Sequence, residues 1–217
     1  IENNGTEQTI IELNNLGFSS RITEDIFSRY QEKSLEVIRK DPYSLATEIR
    51  GLGFKRIDQI AQGMGISFDD QKRILGAVLT SLYEECYSNG NTYANDKLLL
   101  EKSLQLLEGA RSEKVDPEKV ADTIIEAGHK RKIVIEGKRI YPKSLYNSEQ
   151  EIAYDLYRLM NNRDEPIEYD EDEIDRCLED VQAEFSITYG QDQLQAIKDA
   201  IKSPVFLLTG GSGGGGG

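Results

Sequence analysis

The sequence has little of the chemistry on which metal centres, disulfide frameworks and membrane anchors depend. Its only two cysteines, Cys86 and Cys177, lie far apart without a metal-binding spacing, and His129 is its only histidine. A single histidine with no nucleophile or metal partner predicts neither a catalytic site nor a metal site. The chain has no apolar run of about 18 residues, and its first residues lack the pattern of a signal peptide. We therefore expect a cytoplasmic protein that does not enter a membrane.

Acidic residues outnumber basic ones, and most of the excess lies in one segment. The formal net charge is -13 over 217 residues, but residues 163–184 contain eleven carboxylates against two arginines. This charge argues against a uniformly basic nucleic-acid binder, yet the nearly balanced remainder leaves room for local basic patches. The length allows two or three compact units.

Two stretches of the first 68 residues share one design: a helix, a tight glycine turn between apolar side chains, and a second helix. The turns lie at Leu16-Gly17-Phe18 and at Leu52-Gly53-Phe54, 36 residues apart. In such a helix-hairpin-helix unit the glycine allows a positive φ and leaves backbone N–H groups exposed at the start of a helix. Nucleic-acid phosphates, bound without regard to sequence, are the natural ligand. The alternative is that both helix pairs only pack a small core.

The second turn is the better candidate because glycines bracket it and basic residues follow it. Its predicted DNA-binding residues are Gly51, Leu52, Gly53, Lys55 and Arg56. In the first unit Asn15 replaces the leading glycine. The predicted contacts there are Gly17, Ser19 and Arg21.

Residues 69–148 change to longer helices followed by a β-hairpin. Three helices with apolar stripes precede a run typical of a strand, a two-residue turn and a second strand, which are Lys132-Ile133-Val134-Ile135, Glu136-Gly137 and Lys138-Arg139-Ile140-Tyr141. This order predicts a winged-helix domain. The wing is basic, and we predict DNA contact by Lys130, Arg131, Lys132, Lys138 and Arg139. A wing that faces a neighbouring domain, or is simply solvated, is the alternative.

The remaining residues divide into a helix with an acidic connecting segment at 149–187 and a glycine-rich end at 188–217. Residues 203–209 are typical of a buried strand, and the glycines from Gly210 onward occupy the position of a phosphate-binding loop. Gly216 and Gly217 replace the lysine and the Ser/Thr that complete such a loop. A flexible glycine-serine linker, or glycines that stand for residues of unknown identity, is the alternative interpretation.

Several short stretches carry a more specific pattern than a lone hairpin. They are Asp41-Pro42-Tyr43-Ser44-Leu45-Ala46, Arg50-Gly51-Leu52-Gly53-Phe54-Lys55-Arg56-Ile57-Asp58-Gln59-Ile60-Ala61, Gly90-Asn91-Thr92-Tyr93, Gln193-Leu194-Gln195-Ala196-Ile197 and Leu207-Leu208-Thr209-Gly210-Gly211. In these stretches the chain resembles the RecD/TraA-like superfamily 1 DNA helicases, specifically the RecD-like enzymes with a long N-terminal extension. Asn91 departs from a histidine of the family pattern.

The resemblance implies a mainly α-helical fold with several parts. These are tandem helix-hairpin-helix units, a winged-helix-like domain with a small β-hairpin, and the first helix and strand of a truncated RecA-like α/β motor domain. It also implies that Gln193 reads adenine and that Gly210, Gly211 and Gly213 lie in the phosphate loop.

By the same resemblance, the parent protein would be an ATP-dependent 5′→3′ DNA helicase of repair or recombination, with ATP and Mg²⁺ as cofactors. Its partners would be single-stranded DNA or DNA junctions and the remaining motor domains. The chain itself lacks the loop lysine, so it should not turn over ATP.

Two other functions fit the same residues. A protein-interaction scaffold would use the hairpins and the wing to contact other domains, and it would bind no DNA. A free-standing nucleotide-binding protein with a glycine-rich end would bind nucleotide despite the glycine at position 216.

Overall fold

The first 68 residues fold into short helices joined by tight turns, as their apolar periodicity predicts. The computed structural model describes residues 2–161 and 169–209. The helices of this region are Glu2–Asn15 (α1), Ser20–Tyr30 (α2), Ser34–Lys40 (α3), Leu45–Glu48 (α4) and Phe54–Gly63 (α5), with 3₁₀ turns at Gln31–Lys33 and Pro42–Ser44. The helices are interrupted at Asp41-Pro42. There the Asp41 carboxylate accepts the Tyr43 N–H at 3.0 Å, and the proline occupies the first turn.

A winged helix follows, and it contains one strand more than the sequence predicts. Its helices are Gln71–Tyr83 (α6), Asp96–Ala110 (α7) and Pro117–His129 (α8), and its strands are Ala94–Asn95 (β1), Ile133–Glu136 (β2) and Arg139–Pro142 (β3). The strands form an antiparallel sheet in the order β1-β3-β2, with Ala94 opposite Ile140 and Ile133 opposite Pro142. The predicted mainly helical fold with a small β-hairpin is therefore confirmed.

One hydrophobic core connects the hairpin region with the winged helix. Its fully buried side chains come from both regions, and they include Leu13, Ile26, Ile38, Leu45, Ile57, Ile74, Leu82, Leu99, Leu107 and Ile133. Accordingly, Ile1–Asn147 form one compact unit. The core crosses the predicted boundary between residues 68 and 69, and a division into separate domains at that point stays a prediction.

Within the second unit, Ser148–Gly217, two of the described helices pair through charged side chains. Helix Lys143–Asn161 (α9) spans the division between the units, and Glu171–Phe185 (α10) and Gln191–Lys202 (α11) follow it. Lys198 on α11 forms ion pairs with Asp175 and Glu171 on α10. None of the helices within residues 2–161 and 169–209 has the length and apolar character of a membrane span.

The strand predicted at residues 203–209 is not formed. These residues have an irregular conformation, and Leu207 and Leu208 are exposed. An extended segment becomes a strand only when a neighbouring strand satisfies its backbone hydrogen bonds. No other strand lies within residues 169–209, so the segment has no neighbouring strand to pair with in that range.

Candidate nucleic-acid interface

The second hairpin turn places its glycines outward and its apolar side chains inward. Leu52 and Phe54 are buried in the core, whereas Gly51 and Gly53 are exposed with open space where a Cβ would lie. Gly51 has φ +84°, a conformation that side-chain-bearing residues rarely adopt. Gly53 is the N-cap of α5, and no side chain caps that helix end. The Arg56 N–H donates to the Gly53 carbonyl at 3.1 Å, and the N–H groups of Phe54 and Lys55 precede it at a helix end that favours an anion.

The first hairpin turn has the same backbone design. Gly17 has φ +99°, and Phe18 next to it is buried. Ser19 is the N-cap of α2, but its hydroxyl makes no capping hydrogen bond. Arg21 lies exposed in the first turn of that helix.

The two turns lie side by side, and Arg56 joins them. Its guanidinium donates to the Gly17 carbonyl and, at 3.2 Å, to Gln59 Oε1. A shallow groove of about 410 Å³ lies between the turns and is lined by residues of both, among them Ser19, Gly51 and Arg56. The structure thus brings together five residues of the predicted set, which are Gly17, Ser19, Gly51, Leu52 and Arg56. Because the Arg56 side chain is engaged within the protein, contact between Arg56 and DNA stays a prediction.

Lys55 lies apart from this groove. Its Nζ is 3.9 Å from the position that a Cβ on Gly109 would occupy, near the carboxyl end of α7. The side chain is exposed. The two basic residues that follow the turn therefore extend to different neighbours, and Lys55 is the more available of the two for an external anion.

A buried ion cluster lies on the inward face of α5, the face that carries Asp58. Asp58 is 1% exposed, and it receives Arg73 of α6 through Nε to Oδ1 at 2.9 Å and Nη2 to Oδ2 at 3.0 Å. Arg111, which directly follows α7, donates from Nη2 to Oδ1 at 2.9 Å and from Nε to Oδ2 at 3.1 Å. The Tyr43 hydroxyl donates to Oδ1 at 2.6 Å. Each oxygen of the Asp58 carboxylate thus accepts at least two hydrogen bonds.

Backbone carbonyls balance the second positive charge of this cluster. Arg73 also donates to the carbonyls of Phe68 at 2.6 Å and Leu107 at 2.8 Å, and Arg111 donates to that of Ile66 at 2.8 Å. Leu107 lies in the last turn of α7, where helix carbonyls carry partial negative charge. Both guanidinium groups are therefore satisfied although they are buried.

The pKa values in the cluster follow from these contacts. Burial alone would raise the pKa of the Asp58 carboxyl, but the hydrogen bonds from Arg73, Tyr43 and Arg111 outweigh it and hold that pKa below its usual value. Burial, together with the nearby carboxylate, raises the pKa of the Tyr43 hydroxyl. The Tyr43 and Asp58 of the two sequence motifs are thus structural residues, and their arginine partners went unpredicted.

The family comparison matches the region that contains these features. Residues 2–93 match the family described as the ATP-dependent RecD2 DNA helicase HHH domain. The match covers residues 2–93 of the 217 residues, and we call this stretch the RecD2-type domain. It includes both hairpin turns, Tyr43, Asp58 and Arg73, and it extends through α6 to the start of the sheet. The predicted resemblance to the N-terminal region of RecD-like helicases is therefore confirmed.

Beyond the RecD2-type domain, the basic residues of the wing do not form one patch. Lys130 and Lys132 border a groove against α3, α6 and α8. Arg139 lies over the ring of Tyr93, with its guanidinium carbon 5.1 Å from the ring centre. The remaining predicted wing residues are exposed, and they are Arg131 and Lys138. The wing therefore presents its charges in at least two directions.

The outer surface of α8 is acidic. In helix-turn-helix proteins the helix before the wing enters the major groove, where phosphates favour basic residues. Here α8 exposes Glu118 and Asp122, and its Lys119 is paired with Asp69 at 2.6 Å. This charge does not favour insertion of α8 into DNA.

Asn91, which replaces the histidine of the family pattern, has a structural role in the RecD2-type domain. Its side-chain amide donates to Glu85 at 2.8 Å, and the Asn89 amide donates to the same carboxylate at 3.0 Å. The hydrogen bond from Lys102, helped by these amides, lowers the pKa of the Glu85 carboxyl. Asn91 thus keeps a nearly buried carboxylate satisfied.

The residues predicted to bind nucleotide are described only in part. The Gln193 Oε1 accepts the Gly190 N–H at 2.9 Å at the start of α11. Adenine recognition by Gln193 stays a prediction. Gly210, Gly211 and Gly213 lie outside the described residues.

Proposed function

We propose that this chain is the DNA-binding accessory region of an ATP-dependent DNA helicase that moves 5′→3′ on single-stranded DNA. The second hairpin turn holds the phosphate backbone without regard to sequence, and the first turn lies beside it as an auxiliary contact. The observation that carries the proposal is the bare start of α5 at Gly53, within a region that matches the hairpin domain of the RecD2 helicases.

The physical argument rests on what the turn leaves unsatisfied. The first N–H groups of a helix have no partner inside the helix, and a phosphate oxygen can accept them. Glycine at positions 51 and 53 lets a phosphate approach the backbone closely, since no Cβ stands in the way. Lys55 in the same helical turn adds a mobile positive charge.

ATP and Mg²⁺ serve the motor domains of the parent helicase in this proposal. The glycine-rich stretch from Gly210 to Gly217 contains no lysine to hold the β- and γ-phosphates, so the chain by itself does not hydrolyse ATP. Single-stranded DNA or DNA junctions are the proposed partners, together with the motor domains.

The sharpest test replaces Gly53 by serine. Gly53 has φ -74° and ψ 157°, a conformation typical of an N-cap serine, and nothing lies within 4 Å of the added Cβ. The serine hydroxyl would accept an N–H of the first turn and stabilise α5, but it would remove that N–H from the phosphate. We expect an unchanged or slightly higher melting temperature and roughly three- to tenfold weaker binding of single-stranded DNA, the equivalent of about 1 kcal/mol for one hydrogen bond.

Fluorescence anisotropy of a labelled oligonucleotide at low salt measures the affinity, and thermal unfolding measures the stability. Gly5→Ser on α1 is the matched control, because Gly5 is exposed with open space around it and lies outside both turns. If Gly53→Ser binds DNA as tightly as Gly5→Ser does, phosphate binding at this turn is wrong. Arg56 is a poor probe, since its removal would also separate the two turns.

A second candidate function, a protein-interaction surface on the winged helix, is favoured by the acidic face of α8. In this case α8 would face a basic partner or another domain of the helicase. Charge reversal at Glu118 and Asp122 would then leave DNA affinity unchanged or raise it, whereas an α8 that reads DNA would lose affinity when the same residues become hydrophobic.

A further inference from the structure

A groove between the hairpin region and the winged helix is lined by lysines that are far apart in the sequence. It has a volume of about 430 Å³ and lies among the end of α3, the start of α6, α8 and the residues before β2. Four of its lining residues are lysines, namely Lys40, Lys72, Lys130 and Lys132. The sequence indicated only the last two as candidate contacts. We call this feature the lysine groove.

Carboxylates also line the lysine groove, but they do not neutralise it. Glu126 pairs with Lys130 at 2.5 Å and accepts a hydrogen bond from Gln71. Asp41 is used as a helix cap by the Tyr43 N–H. Lys130 is the groove lysine that forms an ion pair within the described part of the chain, which leaves Lys40, Lys72 and Lys132 available.

The electrostatic surroundings of Asp41 show that the lysines converge. Burial raises the pKa of the Asp41 carboxyl, and the hydrogen bond from the Tyr43 N–H, followed by the charges of Lys132 and Lys72, opposes that rise. Residues from the wing and from α6 thus act on one carboxyl of the hairpin region. A single carboxylate among the three available lysines leaves the groove with an excess of positive charge.

The walls of the lysine groove suit a polymer of sugars and phosphates. Leu75, which is half-buried, lines the groove together with the charged side chains and provides an apolar surface. Lysine ammonium groups bind phosphates as point charges and ignore sequence. Sugars could pack on the apolar surface while phosphates lie against the lysines.

We propose that the lysine groove is a second binding site for a nucleic-acid backbone, separate from the hairpin turns. This inference rests on the proposed DNA-binding function. Lys40 and Lys72 lie within residues 2–93, the stretch that matches the helicase domain on which that function is based. It adds a contact that requires the hairpin region and the winged helix to be packed together. It also gives the wing a role that does not need α8 to enter a DNA groove.

The first test removes the three available charges and keeps the side-chain stems. The triple variant Lys40→Gln/Lys72→Gln/Lys132→Gln should bind single-stranded DNA at least about tenfold more weakly at low salt, and the slope of log K against log salt should fall by about 2, since each phosphate on a single strand contributes roughly 0.7. The matched control is Lys33→Gln/Lys97→Gln/Lys114→Gln, which changes the net charge equally at exposed lysines outside the groove. Equal slopes for the two triple variants would overturn the proposal.

A second test should change the affinity in the opposite direction. Glu126→Gln removes an acid from the groove and releases Lys130, while its amide can still bond to Gln71. We expect roughly two- to threefold tighter DNA binding with an unchanged fold. Unchanged or weaker binding by a folded Glu126→Gln variant would contradict a phosphate in this groove.

A third measurement separates the lysine groove from the hairpin turns and from free phosphates. Inorganic tripolyphosphate should raise the melting temperature of the wild-type chain and of Gly53→Ser more than that of the groove triple variant, which retains only the hairpin turns. If only Gly53→Ser loses DNA binding, the groove proposal fails and the hairpin proposal stands; if only the triple variant loses it, the reverse holds. Tripolyphosphate binding at the groove without DNA binding would identify a free polyphosphate site and refute the nucleic-acid assignment.

Discussion

Replacing Asp58 by asparagine should lower the free energy of unfolding of the first unit by about 3–5 kcal/mol, the range found when one partner of a buried ion pair is removed. The substitution leaves Arg73 and Arg111 buried with no carboxylate to neutralise them. It also turns an amide NH₂ toward guanidinium donors, so hydrogen bonds are replaced by donor–donor contacts. Aspartate and asparagine side chains have similar volumes, so the expected loss of stability reflects charge rather than packing.

The expected effect is large because the cluster joins parts that are distant in the chain. Tyr43 and Arg111 are 68 residues apart and meet at the same carboxylate. The cluster therefore fixes α5, which carries the glycine turn, against α6 and the end of α7. A weaker cluster should loosen the hairpin turns as well as the core.

Urea unfolding followed by near-ultraviolet circular dichroism of the tyrosines measures this change. Seven of the eleven tyrosines lie in the first 147 residues, so the signal reports chiefly on that unit. Asp69→Asn is the control, since Asp69 pairs with Lys119 at the exposed surface and such pairs contribute little. An Asp58→Asn variant as stable as Asp69→Asn would show that the guanidinium groups are satisfied without the carboxylate.

The same cluster predicts how stability depends on pH. Because the pKa of Asp58 is lower in the folded protein than in the unfolded chain, its contribution is fully present above the ordinary carboxyl pKa of about 4 and is lost as the pH falls through the lowered value. The wild-type protein should therefore lose stability steeply below about pH 4. In Asp58→Asn this part of the acid dependence should disappear.

Local rules were enough to predict the hairpins from the sequence. Glycine between apolar residues predicted which side chains face inward, and Phe18, Leu52 and Phe54 are indeed buried. The wing could be predicted because a two-residue turn between alternating runs defines a hairpin without reference to the rest of the fold. Strand β1 could not, since two residues show no alternation.

The ion cluster and the lysine groove depend on tertiary packing, which no local pattern contains. A signal for the cluster was nevertheless present, because Asp58 shares the inward face of α5 with Phe54, Ile57 and Ala61 at helical spacing. A carboxylate on a buried face requires cationic partners. The identity of those partners required the fold, as did the meeting of Lys40 and Lys72 with the wing.

Replacing Gly76 by alanine should destabilise the first unit by roughly 1–3 kcal/mol, the usual range for overpacking a core. Gly76 lies in the middle of α6, where alanine would otherwise favour the helix by about 1 kcal/mol. An added Cβ would lie 2.5 Å from Tyr43 Cβ and 2.9 Å from Tyr43 Cγ. These are distances that no pair of carbon atoms tolerates, so either the tyrosine or the helix must move.

Moving Tyr43 would cost free energy, because both its hydroxyl and its ring have partners in the core. Its hydroxyl donates to Asp58, and its ring stacks on Phe54 with 5.6 Å between ring centres. The extra methyl group at position 76 would therefore strain the ion cluster and the start of α5 together. Gly63→Ala at the end of α5 is the control, since its Cβ meets nothing within 4 Å and should leave stability unchanged or slightly raised.

Urea unfolding of Gly76→Ala and Gly63→Ala measures the loss of stability, provided that the two variants have the same dependence of unfolding free energy on urea concentration. A Gly76→Ala variant as stable as wild type would mean that Tyr43 has room to shift and that the cluster is not rigid. The expected loss instead implies that Gly76 is required by the tyrosine of the Pro-Tyr motif rather than by α6 itself. The hairpin turn, the Tyr43 ring and the Asp58 cluster would then respond as one unit, and Gly76→Ala should weaken DNA binding at Gly53 although Gly76 lies in α6, outside the turn.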